Sequence, residues 1–290
     1  MPQLVLPLPA RVAFGPLKPP RCLVMGPAGS GKTTSLATLA RAGIEVFVIA
    51  TEPAGTESLI DAWERLDLNF DLLHYKQVPP TSPGLDSLLE MGIKANNMSY
   101  KDISEMKQGI AKEKMKQWPI LIRSIQNFID DRTGEDFGDA TSWGANRALA
   151  FDSLSGLNEI CMQNTVGFKP SPHQGEWGIA MKLVENLLLK MASDLNCYFI
   201  LTSHIEKEPD EITGMAKVGV STLGRKLAPR VPRFFSEVIR ARKSGDGKYL
   251  WSTQDPEADL KNRALTSSNN LPQDFGPIVD AHNRRLDLAK

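Results

Sequence analysis

Gly26-Pro27-Ala28-Gly29-Ser30-Gly31-Lys32-Thr33 obeys the pattern G-x-x-x-x-G-K-[ST]. The five residues before it, Arg21–Met25 (RCLVM), form a short apolar run that reads as a buried strand. The residues after it, 33–42 (TTSLATLARA), have helical spacing, and Gly43 suits the stop. Strand, glycine loop and helix in that order are the context in which the pattern holds phosphate. Glycines let the backbone curl so that successive N–H groups face one anion, and the helix N-terminus adds its positive end. Gly26, Pro27, Ala28, Gly29, Ser30, Gly31, Lys32, Thr33 and Thr34 are therefore the candidate nucleotide-binding residues. Lys32 would reach the β- and γ-phosphates, and the Thr33 hydroxyl would ligate Mg²⁺.

Outward from the loop, the chain alternates. Glu45–Ala50 (EVFVIA) reads as a second strand, 55–66 as a helix and Asp71–Val78 (DLLHYKQV) as a third strand. Strand–helix alternation predicts an α/β fold with a twisted, mostly parallel central sheet flanked by helices. The rhythm breaks over about 80–140, which reads as a mostly helical insertion: Leu85–Ile93, a solvated Lys/Glu-rich helix over Lys101–Lys116, then Ile120–Ile129. Asp131–Gly144 reads as loop. Strands return at Ala148–Phe151, ending in Asp152, and at Cys197–Thr202, with a helix over 176–194 between them. Residues 205–232 read as irregular, Phe234–Arg242 and Lys248–Ser252 as a late hairpin, and 255–290 as polar. The domain plan is an extended Pro-rich arm over 1–20, a core over 21–260 carrying the insertion, and a C-terminal tail over 261–290.

Composition narrows the class. The 290 residues are 41% hydrophobic and 23% charged, which excludes a wholly disordered or collagen-like chain and allows a core without disulfides. Lys plus Arg equals Asp plus Glu at 34 each, so a uniformly basic nucleic-acid coat is excluded and only a local basic face remains open. Three dispersed cysteines, Cys22, Cys161 and Cys197, read as reduced core thiols, and the four histidines lack metal-ligand spacing. No apolar run has membrane length, and prolines interrupt the apolar N-terminus, so the expectation is a soluble, unprocessed cytoplasmic chain without a membrane partner.

A phosphate loop needs an acid on its magnesium side. Asp152, delivered by an apolar strand to the carboxyl edge of the sheet, is the candidate, with Ser153 beside it for the metal's water shell. Glu52 follows the second strand to the same edge and is the candidate for orienting the attacking water, against the alternative of a solvated loop glutamate. Glu206 is a second candidate. Thr202, Ser203 and His204 end the CYFILT strand, and His204 is the candidate γ-phosphate sensor, against that of a satisfied loop histidine.

GPAGSGKTT, VFVIATEP, RALAFDSLSGL and CYFILTSHIEKE, in this order, resemble the motifs of RecA-fold P-loop ATPases. FDSLSGL looks more like RecA/RadA-type recombinases than like kinases or GTPases. The segment from Gly219 to Leu265 is similar to compact phage-encoded relatives, the Sak-four class of single-strand-annealing proteins. The resemblance covers about 21–53 and 147–265 and leaves the insertion unexplained. It implies ATP and Mg²⁺ as cofactors, slow DNA-stimulated hydrolysis, single-stranded DNA and a single-strand-binding protein as partners, and a ring or filament of copies in a host cytoplasm. It also implies that Glu52 is the catalytic glutamate. His204 stands where those recombinases carry a glutamine.

Gly214–Leu250 holds nine Lys/Arg against Glu237 and Asp246, a net charge of +7. Such a patch suits backbone phosphates, and Lys217, Arg225, Lys226 and Arg230 are the candidate DNA-binding residues. Two other readings stand beside it: a solvated face, and cations supplied to a neighbouring subunit's ATP, for which Arg240, Arg242 and Lys243 are the candidates. The resemblance also implies that two loops, about 163–176 and 206–232, meet single-stranded DNA; Phe168 inside the first and Trp177 just after it are candidates either for stacking on bases or for packing. An ATP-driven motor and a nucleotide-switched adaptor using the insertion are the rival functions.

Overall fold

The computed structural model describes residues 17–106, 112–209 and 216–289. Residues 1–16 of the expected arm, 107–111 of the expected Lys/Glu-rich helix and 210–215 lie outside the described residues.

In chain order the first half comprises β1 (Arg21–Met25), α1 (Lys32–Ser35), α2 (Ala37–Arg41), β2 (Glu45–Ala50), α3 (Gly55–Arg65), β3 (Leu73–Gln77), α4 (Leu85–Asn97), α5 (Tyr100–Ser104) and α6 (Gln117–Gln126). The second half comprises β4 (Arg147–Asp152), α7 (Leu154–Val166), α8 (Gln174–Asp194), β5 (Tyr198–Ser203), β6 (Ile205–Pro209), β7 (Ala216–Val220), β8 (Glu237–Lys243), β9 (Tyr249–Ser252), β10 (Leu271–Pro272) and α9 (Gly276–Ala289). Among the described residues the main sheet has eight strands in the order β10-β9-β8-β1-β5-β4-β2-β3. Its six strands from β8 to β3 pair in parallel, and β9 and β10 extend the β8 edge antiparallel. The α/β class expected from the sequence is the class observed.

Period-2 alternation splits each central strand between two cores. Leu23, Met25, Phe47, Ile49, Leu149, Phe151, Phe199 and Leu201 face α6, α7 and α8. Cys22, Val24, Val46, Val48, Ala148, Ala150, Tyr198 and Ile200 face α2, α3 and α9. On α3, Leu59, Ala62 and Trp63 recur at helical spacing and are fully buried. All three cysteines are buried, free thiols, and burial pushes each above the ordinary thiol range.

Four expectations are corrected. First, the Lys/Glu-rich helix of the insertion is shorter than expected. α4 buries no residue, whereas α6 puts Leu121 and Ile125 into the core, followed by Phe128. α5 ends at Ser104, where a helix was expected to run from Lys101 to Lys116. Second, the helix α7 was not foreseen; its residues Gln163–Val166 fall inside the expected 163–176 loop, which α8 further shortens at Gln174. Third, the described residues of 205–232 include regular elements: β6 and β7 pair antiparallel, Ile205 opposite Val220, and a 3-10 helix spans Ala228–Phe234. Fourth, the polar tail is a built part of the core. Phe275, Ile278 and Val279 pack beside Trp251 on the α2 side, because an apolar residue every three or four positions gives α9 one buried stripe.

Candidate active site

β1, β5, β4 and β2 end side by side, and their carboxyl ends carry the polar residues. The register sets Met25 opposite Ser203 and Ala50 opposite Asp152. The loop leaves β1 at Gly26, whose N–H donates to the Ser203 carbonyl at 3.0 Å. Gly31 has a φ of +86°, in the left-handed region that an L side chain rarely adopts. There is no room for one either: a Cβ on Gly31 would lie 2.5 Å from Gln273 Oε1. Helix α1 starts at Lys32, the residue after this turn. The Lys32 ammonium donates to the carbonyls of Gly26 (3.0 Å) and Pro27 (2.9 Å). Burial pulls it below the ordinary lysine value, and Asp152 and Glu52 push back.

Asp152 is buried and holds two hydroxyls. Thr33 Oγ1 donates to its Oδ2 at 2.7 Å, and Thr202 Oγ1 donates to its Oδ1. Burial raises the Asp152 carboxyl above the usual range, against the pull of those two hydroxyls and of Lys32. One carboxylate and one hydroxyl beside a phosphate loop are the oxygen donors that Mg²⁺ takes when nucleotide phosphates complete its shell. The donor set present therefore fits that metal, with Thr33 and Asp152 as the residues that would hold it.

Thr51, just past β2, clamps this acid to the neighbouring strand. Its N–H donates to the Asp152 carbonyl (2.8 Å), its hydroxyl donates to the Ser153 carbonyl (2.7 Å), and the Ser153 N–H donates back to that hydroxyl (2.9 Å). The Asp152–Ser153 peptide is cis. Gly156, on the first turn of α7, permits the approach: a Cβ there would stand 2.1 Å from the Thr51 carbonyl oxygen. Ser153 Oγ donates to Glu52 Oε1, and His204 Nε2 lies 3.3 Å from the same oxygen. Glu52 and His204 are both partly open to solvent.

Lys32, Thr33, Asp152, Ser153, Glu52, Thr202 and His204 thus meet at one edge. Glu206 does not join them; it accepts from Ser221 Oγ at 2.8 Å on the β6–β7 arm. Sequence reading missed Thr51, Gly156 and Gln273. Gly156 lay in view inside SLSGL, but the need for a bare Cα arises only when the start of α7 packs against Thr51.

Five cations of the basic segment are paired with acids. Several of these acids lie outside the 214–250 window. Lys217 pairs with Asp259 at 3.0 Å, Arg230 and Arg233 with Glu185 at 3.6 and 2.5 Å, Arg240 with Asp255, and Lys248 with Asp246 at 2.8 Å. Arg242 donates to the Asn269 carbonyl, and the Lys243 ammonium lies 5.3 Å from the Tyr249 ring centroid. Arg225 and Lys226 are exposed. Phe168 is half-buried and Trp177 is 37% exposed.

A phosphate loop at the end of a parallel strand, with a buried aspartate two strands away on the same edge, defines a P-loop nucleoside triphosphatase. A family model described as an AAA domain, AAA_24, matches residues 18–264. The chain belongs to this family and is a P-loop ATPase. No curated protein matches it. Among the described residues no helix is long and apolar enough to cross a membrane.

Proposed function

We propose that the protein is an ATP-dependent single-stranded-DNA-binding protein that promotes annealing or homologous pairing, with slow hydrolysis resetting its grip. One observation carries this reading: Glu52 touches Ser153 and His204 at once, and His204 opens directly into β6. The group that would orient water therefore contacts the residue that precedes a two-stranded arm. A change at the γ-phosphate displaces Glu52 or His204, and β6 is the next element along the chain. The Ser221 N–H, which follows β7, donates to the His204 carbonyl at 2.8 Å, so both strands of the arm are referred to that residue.

In the proposed reaction a water oxygen bonds to the γ-phosphorus while the bridging bond to the β-phosphate breaks. The products are ADP and inorganic phosphate. Glu52 accepts a hydrogen bond from that water and draws its proton away. Lys32 offsets the charge on the γ-phosphate. Thr33 and Asp152 would hold Mg²⁺, which would supply further charge neutralisation. His204 reads whether the γ-phosphate is present.

DNA would lie along the arm and the exposed Arg225 and Lys226. A cavity of about 240 Å³ runs there, lined by Glu206, Lys217, Gly219, Arg225 and Pro229. The acid pairing reduces the charge of this face, so the account expects modest affinity and a shallow salt slope. Assembly into a ring or filament and delivery by a single-strand-binding protein belong to the same proposal.

The adaptor alternative has its own observation. α4 leaves Leu85, Leu88, Leu89 and Ile93 exposed on an element that buries nothing. The His204→Ala variant separates the two readings. With coupling through His204, ATP binding persists while DNA affinity stops responding to nucleotide. A DNA affinity that still responds fully in this variant contradicts the proposed coupling.

A further inference from the structure

The phosphate loop is held from a direction that its motif does not contain. β10 and α9 lie beyond the residues matched by the family, yet they reach back to the loop. The Gln273 side chain, between β10 and α9, donates from Nε2 to the Ser30 carbonyl at 2.7 Å and to the Leu250 carbonyl at 3.1 Å. Its Oε1 occupies the space beside Gly31 that a Cβ would need. Two residues on, the Phe275 N–H donates to Thr38 Oγ1 at 2.9 Å, in α2, the second helix after the loop. Phe275 is itself fixed edge-on against Trp251, with ring centroids 4.9 Å apart.

We propose that Gln273 is a positioning residue of the nucleotide site, setting the orientation of the Ser30–Gly31 peptide from the C-terminal segment. The Ser30 carbonyl and the Gly31 N–H belong to one peptide plane. Fixing the oxygen fixes the direction of the N–H, and in a phosphate loop that N–H is an anion donor. Gly31 is free to rotate in the absence of such a restraint, because no Cβ limits its φ. The cost of ordering this peptide is thus met before nucleotide arrives.

The test is calorimetric titration of the full chain with Mg²⁺·ADP, alongside the melting temperature without nucleotide. Gln273→Ala is expected to weaken ADP binding about five- to ten-fold, the scale of one hydrogen bond that orders a binding group. Gln273→Glu keeps the size, removes the donor and sets a carboxylate against a carbonyl, so its loss is expected to be larger. A loss under about three-fold in both variants overturns the proposal, whatever the melting temperature does, because a purely structural glutamine changes stability and not affinity. Should neither variant fold, hydrogen exchange on the unaltered protein decides. ADP is expected to slow exchange at 30–35 and at 274–279 together; protection confined to 30–35 overturns the proposal.

Discussion

The carboxyl edge of the sheet and the helical excursion over 85–104 are built by opposite rules. At the edge the central side chains are held twice over: Asp152 takes Thr33 and Thr202, Lys32 takes two loop carbonyls, and Thr51 bonds Ser153 twice. On α4 no residue is buried, and the ion pair Glu90–Lys94 lies on its own surface. A catalytic edge requires positions fixed to fractions of an ångström. A helix with an apolar face turned outward requires only its own shape. Substitutions at the edge should therefore change chemistry, those on α6 should change stability, and those on α4 should change neither in the isolated protein.

Lys32→Ala should give the largest effect, lowering ATP turnover by at least about 100-fold, because a cation aimed at the transferring phosphoryl group is lost. A phosphate-release assay measures it, and a fall below ten-fold breaks the assignment of the edge. Glu52→Gln should follow, cutting kcat by about 100-fold while ATP affinity stays within about three-fold, since the loss falls on water and not on nucleotide. Parallel loss of affinity would assign Glu52 to binding instead.

Ile125→Ala on α6 removes part of a fully packed side chain and should cost about 2–4 kcal/mol in denaturant unfolding. Leu89→Ser on α4 should stay within about 0.5 kcal/mol. Equal costs at the two positions would end the contrast. The smallest effect is one of pH. Asp130 is fully buried; burial pushes its carboxyl up, but the N–H groups of Arg132 and Tyr75, with His74 and Thr133, overcome it and hold the carboxyl below the usual range. Its folded value lies under its unfolded one, so its contribution is complete above about pH 4 and is lost as pH falls through the lower folded value. Thermal melting between pH 5 and 3 should fall more steeply in the unaltered protein than in Asp130→Asn.

What could be read from the chain without coordinates follows a physical division. The phosphate loop is eight consecutive residues whose pattern is complete within the sequence, so it was legible whole. Asp152 and Glu52 were legible because strands deliver their last residue to one edge. Thr51, Gly156 and Gln273 were not, because each acts through a contact across the sheet or from the far end of the chain. Charge behaved in the same way. The +7 window is a count along the chain, and its charge is reduced where Glu185, Asp255 and Asp259 fold against it. The tail misled for a simpler reason: one buried stripe of α9, carrying Ile278 and Val279, sits among polar residues that keep the mean hydropathy low.

The central claim is that nucleotide at the edge controls DNA on the arm. Fluorescence anisotropy of a labelled single strand, titrated with and without a non-hydrolysable ATP analogue over a salt series, tests it most directly. Unaltered protein should bind with the analogue and weaken with salt. Lys32→Ala should lose the analogue's effect, and the Arg225→Ala/Lys226→Ala double variant should lose the binding. Absence of binding at low salt in every nucleotide state would contradict the account.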